Sequence, residues 1–181
     1  MTKEAFRKHF KAVTDDYGQV QIVDLLKDAT KREERLTKEY YKQFYDSQYK
    51  AEGKLKFLHF DFHRFTKGDK FQPLRVLISQ LDDQINNFGA LIVDLQTGDI
   101  VQEQKGVFRV NCLDSIDRTN VAISQIAITV FQRQLELNQI NLNDLLGIKV
   151  FSQGIAFSKI DHPLINNYKF LWREKSNFLS R

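Results

Sequence analysis

Apolar residues return along this chain in two rhythms, one with the period of a helix and one with the period of a strand. Phe6, Phe10 and Val13 share one face of a first amphipathic helix that Tyr17-Gly18 ends. Val20 to Leu26 alternates and then runs apolar, which predicts a strand. Thr30 to Lys50 is densely charged, with Leu36, Tyr40 and Phe44 on one face, and predicts a single long helix. Leu55 to Phe62 predicts an aromatic-rich strand. Leu74, Leu77, Ile78, Leu81, Ile85 and Phe88 keep helical spacing more cleanly than any other stretch. Ala90 to Leu95 is expected as a short buried strand, Gln96 to Asp99 as a turn, and Ile100 to Val110 as the next strand. Val121 to Leu137 follows, apolar nearly all round. Its β-branched residues favour a strand, but its length and the Thr119-Asn120 start favour a helix buried on several sides. Tyr168, Phe170 and Trp172 are expected to pack in the core.

Strands that alternate with helices predict an α/β fold, a largely parallel sheet flanked by helices. Nothing marks an internal boundary: the chain has two prolines and no repeat or low-complexity tract. Its 181 residues suffice for one domain with a full core. No apolar run is long enough to span a bilayer. The first residues, Met-Thr-Lys-Glu-Ala-Phe-Arg-Lys, lack the apolar core of a secretory signal. One cysteine makes no internal disulfide, which fits a reducing, cytoplasmic setting. The net charge of +4 suits an anionic substrate or an anionic membrane surface. Nucleic acid competes for that charge, but no clustered basic stripe or known motif supports it.

The one cysteine lies in the segment richest in chemistry. Asn111-Cys-Leu-Asp-Ser-Ile-Asp-Arg-Thr-Asn120 places Arg118 six positions after Cys112, between a predicted strand and a predicted helix. A phosphoryl group needs its oxygens satisfied, and the amides of a loop entering a helix N-terminus do this while the dipole favours an anion. A guanidinium adds a bidentate pair of charge-assisted bonds. The same field favours a thiolate. This Cys-x5-Arg loop is therefore expected to bind phosphate through Asn111, Leu113, Ser115, Ile116 and Arg118 and to attack it through Cys112. The other reading of the cysteine is an inert buried side chain.

Asp114 and Asp117 sit inside this anion cradle. Either is a candidate general acid for the leaving oxygen, or both cap backbone amides. Asp117 is the slightly favoured acid. Thr119 is expected to donate to the Cys112 sulfur and steady the thiolate, although a plain helix cap suits its position too. His59, Asp61 and His63 alternate along one strand and so face one side. They suit a metal ion in a hydrolase of a different class, or polar side chains satisfied at a strand end. His9 and His162 stand alone and read as surface residues.

Arg109-Val-Asn-Cys-Leu-Asp-Ser-Ile-Asp-Arg-Thr-Asn120 closely resembles the signature of the Sac-domain phosphoinositide phosphatases, Arg-Thr-Asn-Cys-x-Asp-Cys-Leu-Asp-Arg-Thr-Asn. Phe60-Asp-Phe-His-Arg-Phe-Thr-Lys-Gly68 is similar to that family's Phe-Asp-Phe-His-x-x-Cys-Lys-Gly, and Phe88-Gly89 and Lys105-Gly106 fall in register with it. Ser115, Ile116, Val110 and Thr66 depart from the pattern but leave the cysteine, the arginine and both aspartates in place. The resemblance implies phosphoinositide substrates and hydrolysis of inositol-ring monoesters through a phosphocysteine. It implies no metal or organic cofactor, and peripheral work at the cytosolic face of endomembranes, in lipid metabolism and trafficking. It sets His63 and Lys67 near the substrate. It also implies that residues 1–181 are a portion of one Sac-type catalytic domain, lacking the family's N-terminal domain and the end of the catalytic one. Two other functions stay open: a catalytically silent phosphoinositide-binding scaffold, and a protein phosphatase with the same thiolate chemistry.

Overall fold

The computed structural model of the chain describes residues 2–27, 30–61, 72–114, 117–141, 144 and 161–179, without the side chains of 72, 73, 117 and 172–179. Helix α1 (Lys3–Tyr17) starts at Thr2, whose hydroxyl accepts the Ala5 amide at 3.2 Å. It stops at Gly18, whose φ of +77° few side chains tolerate. The Gln19 amide then bonds to Lys105 O at 3.1 Å and starts β1 (Gln19–Asp24) beside a strand more than eighty residues ahead.

Strand β1 is central. It pairs in parallel with β2 (Leu55–His59) on one side and with β5 (Gly106–Asn111) on the other. Alternation sorts its side chains between two cores. Val20 and Ile22 join Phe6 and Phe10 of α1 and Phe44 of α2 (Lys31–Tyr45). Val23 and Leu25 join Leu77, Leu81 and Ile85 of α4 (Gln72–Phe88), with Val110, Ala122 and Ile126. The last two belong to α5 (Asp117–Leu137). Burial of a Leu or Ile such as these contributes about 2 kcal/mol each. The α/β expectation, a parallel sheet flanked by helices, is therefore met, with α1 and α2 on one face and α4 and α5 on the other.

Four local expectations are revised. The helix expected over 30–50 ends at Tyr45, because the Ser47 hydroxyl accepts the Lys50 amide and caps a separate turn, α3 (Gln48–Ala51). The strand expected over 100–110 is two. β4 (Ile100–Gln102) pairs antiparallel with β3 (Ile92–Val93), while β5 enters the main sheet. That small hairpin is exposed, with Leu95 at 96% and Val101 at 67%, so the expected buried strand over 90–95 is an apolar ribbon at the surface. Phe170, in α6 (Pro163–Leu179), is half exposed rather than core.

The expected turn is present: the Asp94 carboxylate accepts the amides of Gln96 and Thr97. Helix α5 forms despite its β-branched residues. Ala122, Ile126 and Ile128 are buried, and the Tyr168 hydroxyl of α6 donates to Ser124 O. Burial on several sides outweighs the small intrinsic penalty. Gly106 has a packing reason: a Cβ there would lie 2.5 Å from the Phe88 ring.

Candidate active site

The parallel strands end in a row. Register sets Asp24 beside His59 on one side and Asn111 on the other, so the sheet's carboxyl edge presents a carboxylate between an imidazole and an amide. Asp24 is fully buried. Its Oδ1 accepts Asn111 Nδ2 at 2.6 Å and its Oδ2 accepts Thr37 Oγ1 of α2 at 2.8 Å. Burial pushes the Asp24 carboxyl above its ordinary value, against the Thr37 bond, the His59 ring and the Asn111 bond. His59 Nε2 lies 3.0 Å from Leu26 O.

Chain continuity then carries Asn111 into Cys112. The thiol is 7% exposed and lies at the end of the α4–α5 core. Two contacts define it. Thr119 Oγ1 donates to Cys112 Sγ at 3.2 Å, from the first turn of α5. Cys112 Sγ in turn donates to Asp114 Oδ1 at 3.2 Å, and Asp114 itself is exposed. Thr119 is almost as buried as the sulfur. Since α5 begins at Asp117, its first amides lack intrahelical acceptors and lie just past this thiol.

Arg118 is fastened from the opposite direction. Its Nη1 donates to Leu25 O at 2.8 Å and to Glu33 Oε2 at 3.2 Å. Glu33 is buried in the first turn of α2 and also accepts the Lys27 amide at 3.0 Å through Oε2. Burial works against the Glu33 charge, but the Lys27 amide and the Arg118 guanidinium outweigh it and hold the carboxyl below its ordinary range. Glu33 thus fixes one edge of the guanidinium, while Nε and Nη2 carry no protein partner among the described residues.

Of the residues singled out by sequence, Asn111, Cys112, Leu113, Asp114, Arg118 and Thr119 lie together where β5 turns toward α5. Ser115, Ile116, Lys67 and His63 lie outside the described residues, as does the side chain of Asp117. Asp61 is buried beyond the end of β2. No group of three or more His, Cys, Asp or Glu is placed to hold a metal ion among the described residues. His9 is exposed, and His162 Nδ1 accepts the Leu164 amide at the start of α6. Sequence reasoning missed Asp24, Thr37 and Glu33. Only Glu33 carried a local sign, since Thr30 and Glu33 have capping-box spacing and the Thr30 hydroxyl accepts the Glu33 amide.

Fold and contacts together assign an α/β domain with a thiol, its hydroxyl donor and a fastened arginine at the carboxyl edge of a parallel sheet. Comparison makes the assignment specific. A family model described as the SacI homology domain matches residues 1–67. The polyphosphatidylinositol phosphatase INP53 of Saccharomyces cerevisiae is 36% identical over 137 residues, 75% of this chain and 12% of that protein. Phosphoinositide phosphatase SAC8 of Arabidopsis thaliana is 33% identical over 179 residues, 99% of this chain and 27% of that protein. Synaptojanin-2 of Rattus norvegicus is 31% identical over 180 residues, 98% and 11% respectively. The chain belongs to the Sac-domain phosphoinositide phosphatase family. It spans about a tenth to a quarter of the length of the curated relatives it matches.

Proposed function

We propose that this chain carries the catalytic centre of a phosphoinositide phosphatase that hydrolyses inositol-ring phosphate monoesters through a phosphocysteine on Cys112. The observation that supports it most is the line of contacts Thr119 Oγ1, Cys112 Sγ, Asp114 Oδ1, with 3.2 Å at each step. The thiol proton passes to Asp114 as sulfur attacks phosphorus. The S–P bond forms, the P–O bond to the ring breaks, and Asp114 returns that proton to the leaving oxygen. Water then attacks the phosphocysteine, Asp114 takes its proton, and inorganic phosphate leaves. The expelled thiolate is stabilised by the Thr119 hydroxyl. Arg118 offers its Nε and Nη2 edge to the equatorial oxygens, beside the amides that open α5. This scheme gives the acid role to Asp114, whose carboxylate already accepts the thiol hydrogen; the side chain of Asp117, which sequence favoured, lies outside the described residues.

The substrate class is taken from the family and from INP53 and SAC8, which are named as phosphoinositide phosphatases. No helix among the described residues is long and apolar enough to cross a membrane. A lipid substrate then places this chain at the surface of an anionic, cytosol-facing membrane, held by weak electrostatics and partners. The test is phosphate release from a phosphoinositide panel with a phosphotyrosine peptide beside it. The parent chain releases phosphate from the lipids, and Cys112→Ser abolishes release with an unchanged denaturant midpoint. Turnover by the serine variant would end the thiolate mechanism.

A further inference from the structure

The face of β5 toward α2 carries a groove of about 240 Å³ whose walls include Tyr40, Arg109, Asn111, Cys112 and Leu113. Two polar groups on these walls are unsatisfied, and a third is a cation without an ion pair. Tyr40 OH and Asn111 Oδ1 are buried with no hydrogen-bond partner. Arg109 has no ion pair among the described residues, and its guanidinium lies 6.0 Å from the Tyr40 ring centroid. The other two half-buried arginines among the described residues differ, since Arg118 is bonded to Glu33 and Arg133 to Asp82 and Glu136. Buried polar groups in folded proteins are nearly always paired. A buried donor, a buried acceptor and an unpaired cation lining one groove therefore describe a ligand by its complement: an anionic group beside a hydroxyl.

We propose that this groove is a second subsite for a phosphorylated ring whose scissile phosphate faces Cys112. Arg109 and Tyr40 OH bind a further ring phosphate, and Asn111 Oδ1 accepts a ring hydroxyl. The inference rests on the phosphatase reading and narrows it to rings bearing more than one phosphate. Arg109 and Asn111 are alternate residues of β5 and so share the α2 face. The three residues from Arg109 to Cys112 span about 10 Å, a distance a ring with phosphates on two sides bridges. Glu39, also on the wall, offers an acceptor for another hydroxyl and disfavours a phosphate on its side. Burial raises the Tyr40 phenol to about 12, so it remains a donor.

The test is titration calorimetry with the full chain carrying Cys112→Ser, at fixed salt. The probes are short-chain phosphatidylinositol mono- and bisphosphates and the matching free inositol phosphates. One bisphosphate binds about 10-fold more tightly than the monophosphates, as an added charge-assisted contact requires. Arg109→Gln and Tyr40→Phe each remove that preference and leave monophosphate affinity within about twofold. Tyr40→Phe also keeps or raises the urea midpoint, because the hydroxyl it removes has no partner. A lowered midpoint would show that the hydroxyl is already paired within the fold and would overturn its role as a ligand donor. The same preference among free inositol phosphates supports readout of the ring, and a preference confined to the lipids overturns it. A preference that survives both variants overturns the subsite. Equal affinity for all phosphorylation states, with monophosphate binding lost in Arg118→Gln, overturns the subsite while the phosphatase reading stands. Absence of any phosphoinositide binding overturns both.

Discussion

Glu33 and Arg118 lie 85 residues apart in sequence and 3.2 Å apart in space, and cutting that link tests how the arginine is held. The two side chains are 7% and 18% exposed respectively. Removing one member of a buried pair costs about 3–5 kcal/mol, because the other charge stays desolvated. Water reaches part of Arg118, so the lower end applies and Glu33→Ala loses about 3 kcal/mol. Glu33→Gln loses less. Both Lys27 N–H and Arg118 Nη1 donate to the same Oε2, so a glutamine oxygen in that place keeps both bonds. What goes is the charge assistance on one of them, about 1 kcal/mol. With a urea slope of about 2 kcal/mol per molar, the midpoints fall by about 1.5 M for alanine and about 0.5 M for glutamine. Phosphate release is measured on the same samples well below the transition. The alanine variant, with Nη1 held by the Leu25 carbonyl alone, loses at least about 10-fold in turnover through misplacement of the guanidinium. An alanine midpoint within about 0.3 M of the parent would refute the reasoning, since it would show the pair is not made in solution.

Arg118→Lys keeps the charge but loses the planar fork, and is expected to abolish most phosphate release; a fully active lysine variant would show that charge alone suffices. Gly106→Ala puts a methyl 2.5 Å from the buried Phe88 ring and destabilises by about 1–3 kcal/mol through overpacking. Phe88→Leu in the same chain should recover part of the lost urea midpoint, and no recovery would place the cost elsewhere. The Glu33 carboxyl is held below its ordinary 4.5, so its stabilisation is complete above that value and is lost as pH falls through the lower folded value. The penalty of Glu33→Gln is therefore full at pH 7 and shrinks toward pH 3; a constant penalty across that range would mean the carboxylate carries no net favourable charge interaction. Asp24 has the opposite sign. Its folded value is raised by burial, so its ionisation subtracts stability as pH climbs above the ordinary 3.8.

Much of this protein is fixed locally and so was legible in the sequence. Helix α4 follows from Leu77, Leu81 and Ile85 at four-residue spacing, and a periodic apolar face has one way to be buried. The succession of β5, the Cys112 turn and α5 follows from a short apolar run, a polar decapeptide and a long apolar run. Six of the proposed site residues lie within that one stretch, so chain connectivity alone keeps them together. The division of 90–110 into a surface hairpin and a core strand was not legible. Ile100 and Val101 are as apolar as Val107 and Val110, and only the place where β1 ends its register decides which pair enters the sheet. The helix break at Ser47 was equally hidden, because a serine caps a turn only when the chain leaves the helix there.

What tertiary structure alone decided is the support behind the thiol. Asp24 reads as one polar residue closing an apolar strand, and Glu33 as one charge in a charged helix. Their meaning depends on parallel pairing, which brings Asn111 level with Asp24, and on α2 lying over that edge so that Thr37 and Glu33 face inward. The bond from Asn111 to Asp24 joins residues 87 apart, and that from Arg118 to Leu25 joins residues 93 apart. No periodicity or spacing rule reaches that far, because such rules describe a chain's contacts with its own neighbouring turns. The sequence by itself marked the groups proposed to do the chemistry. The packing of β1 between β2 and β5 decided what holds them in place.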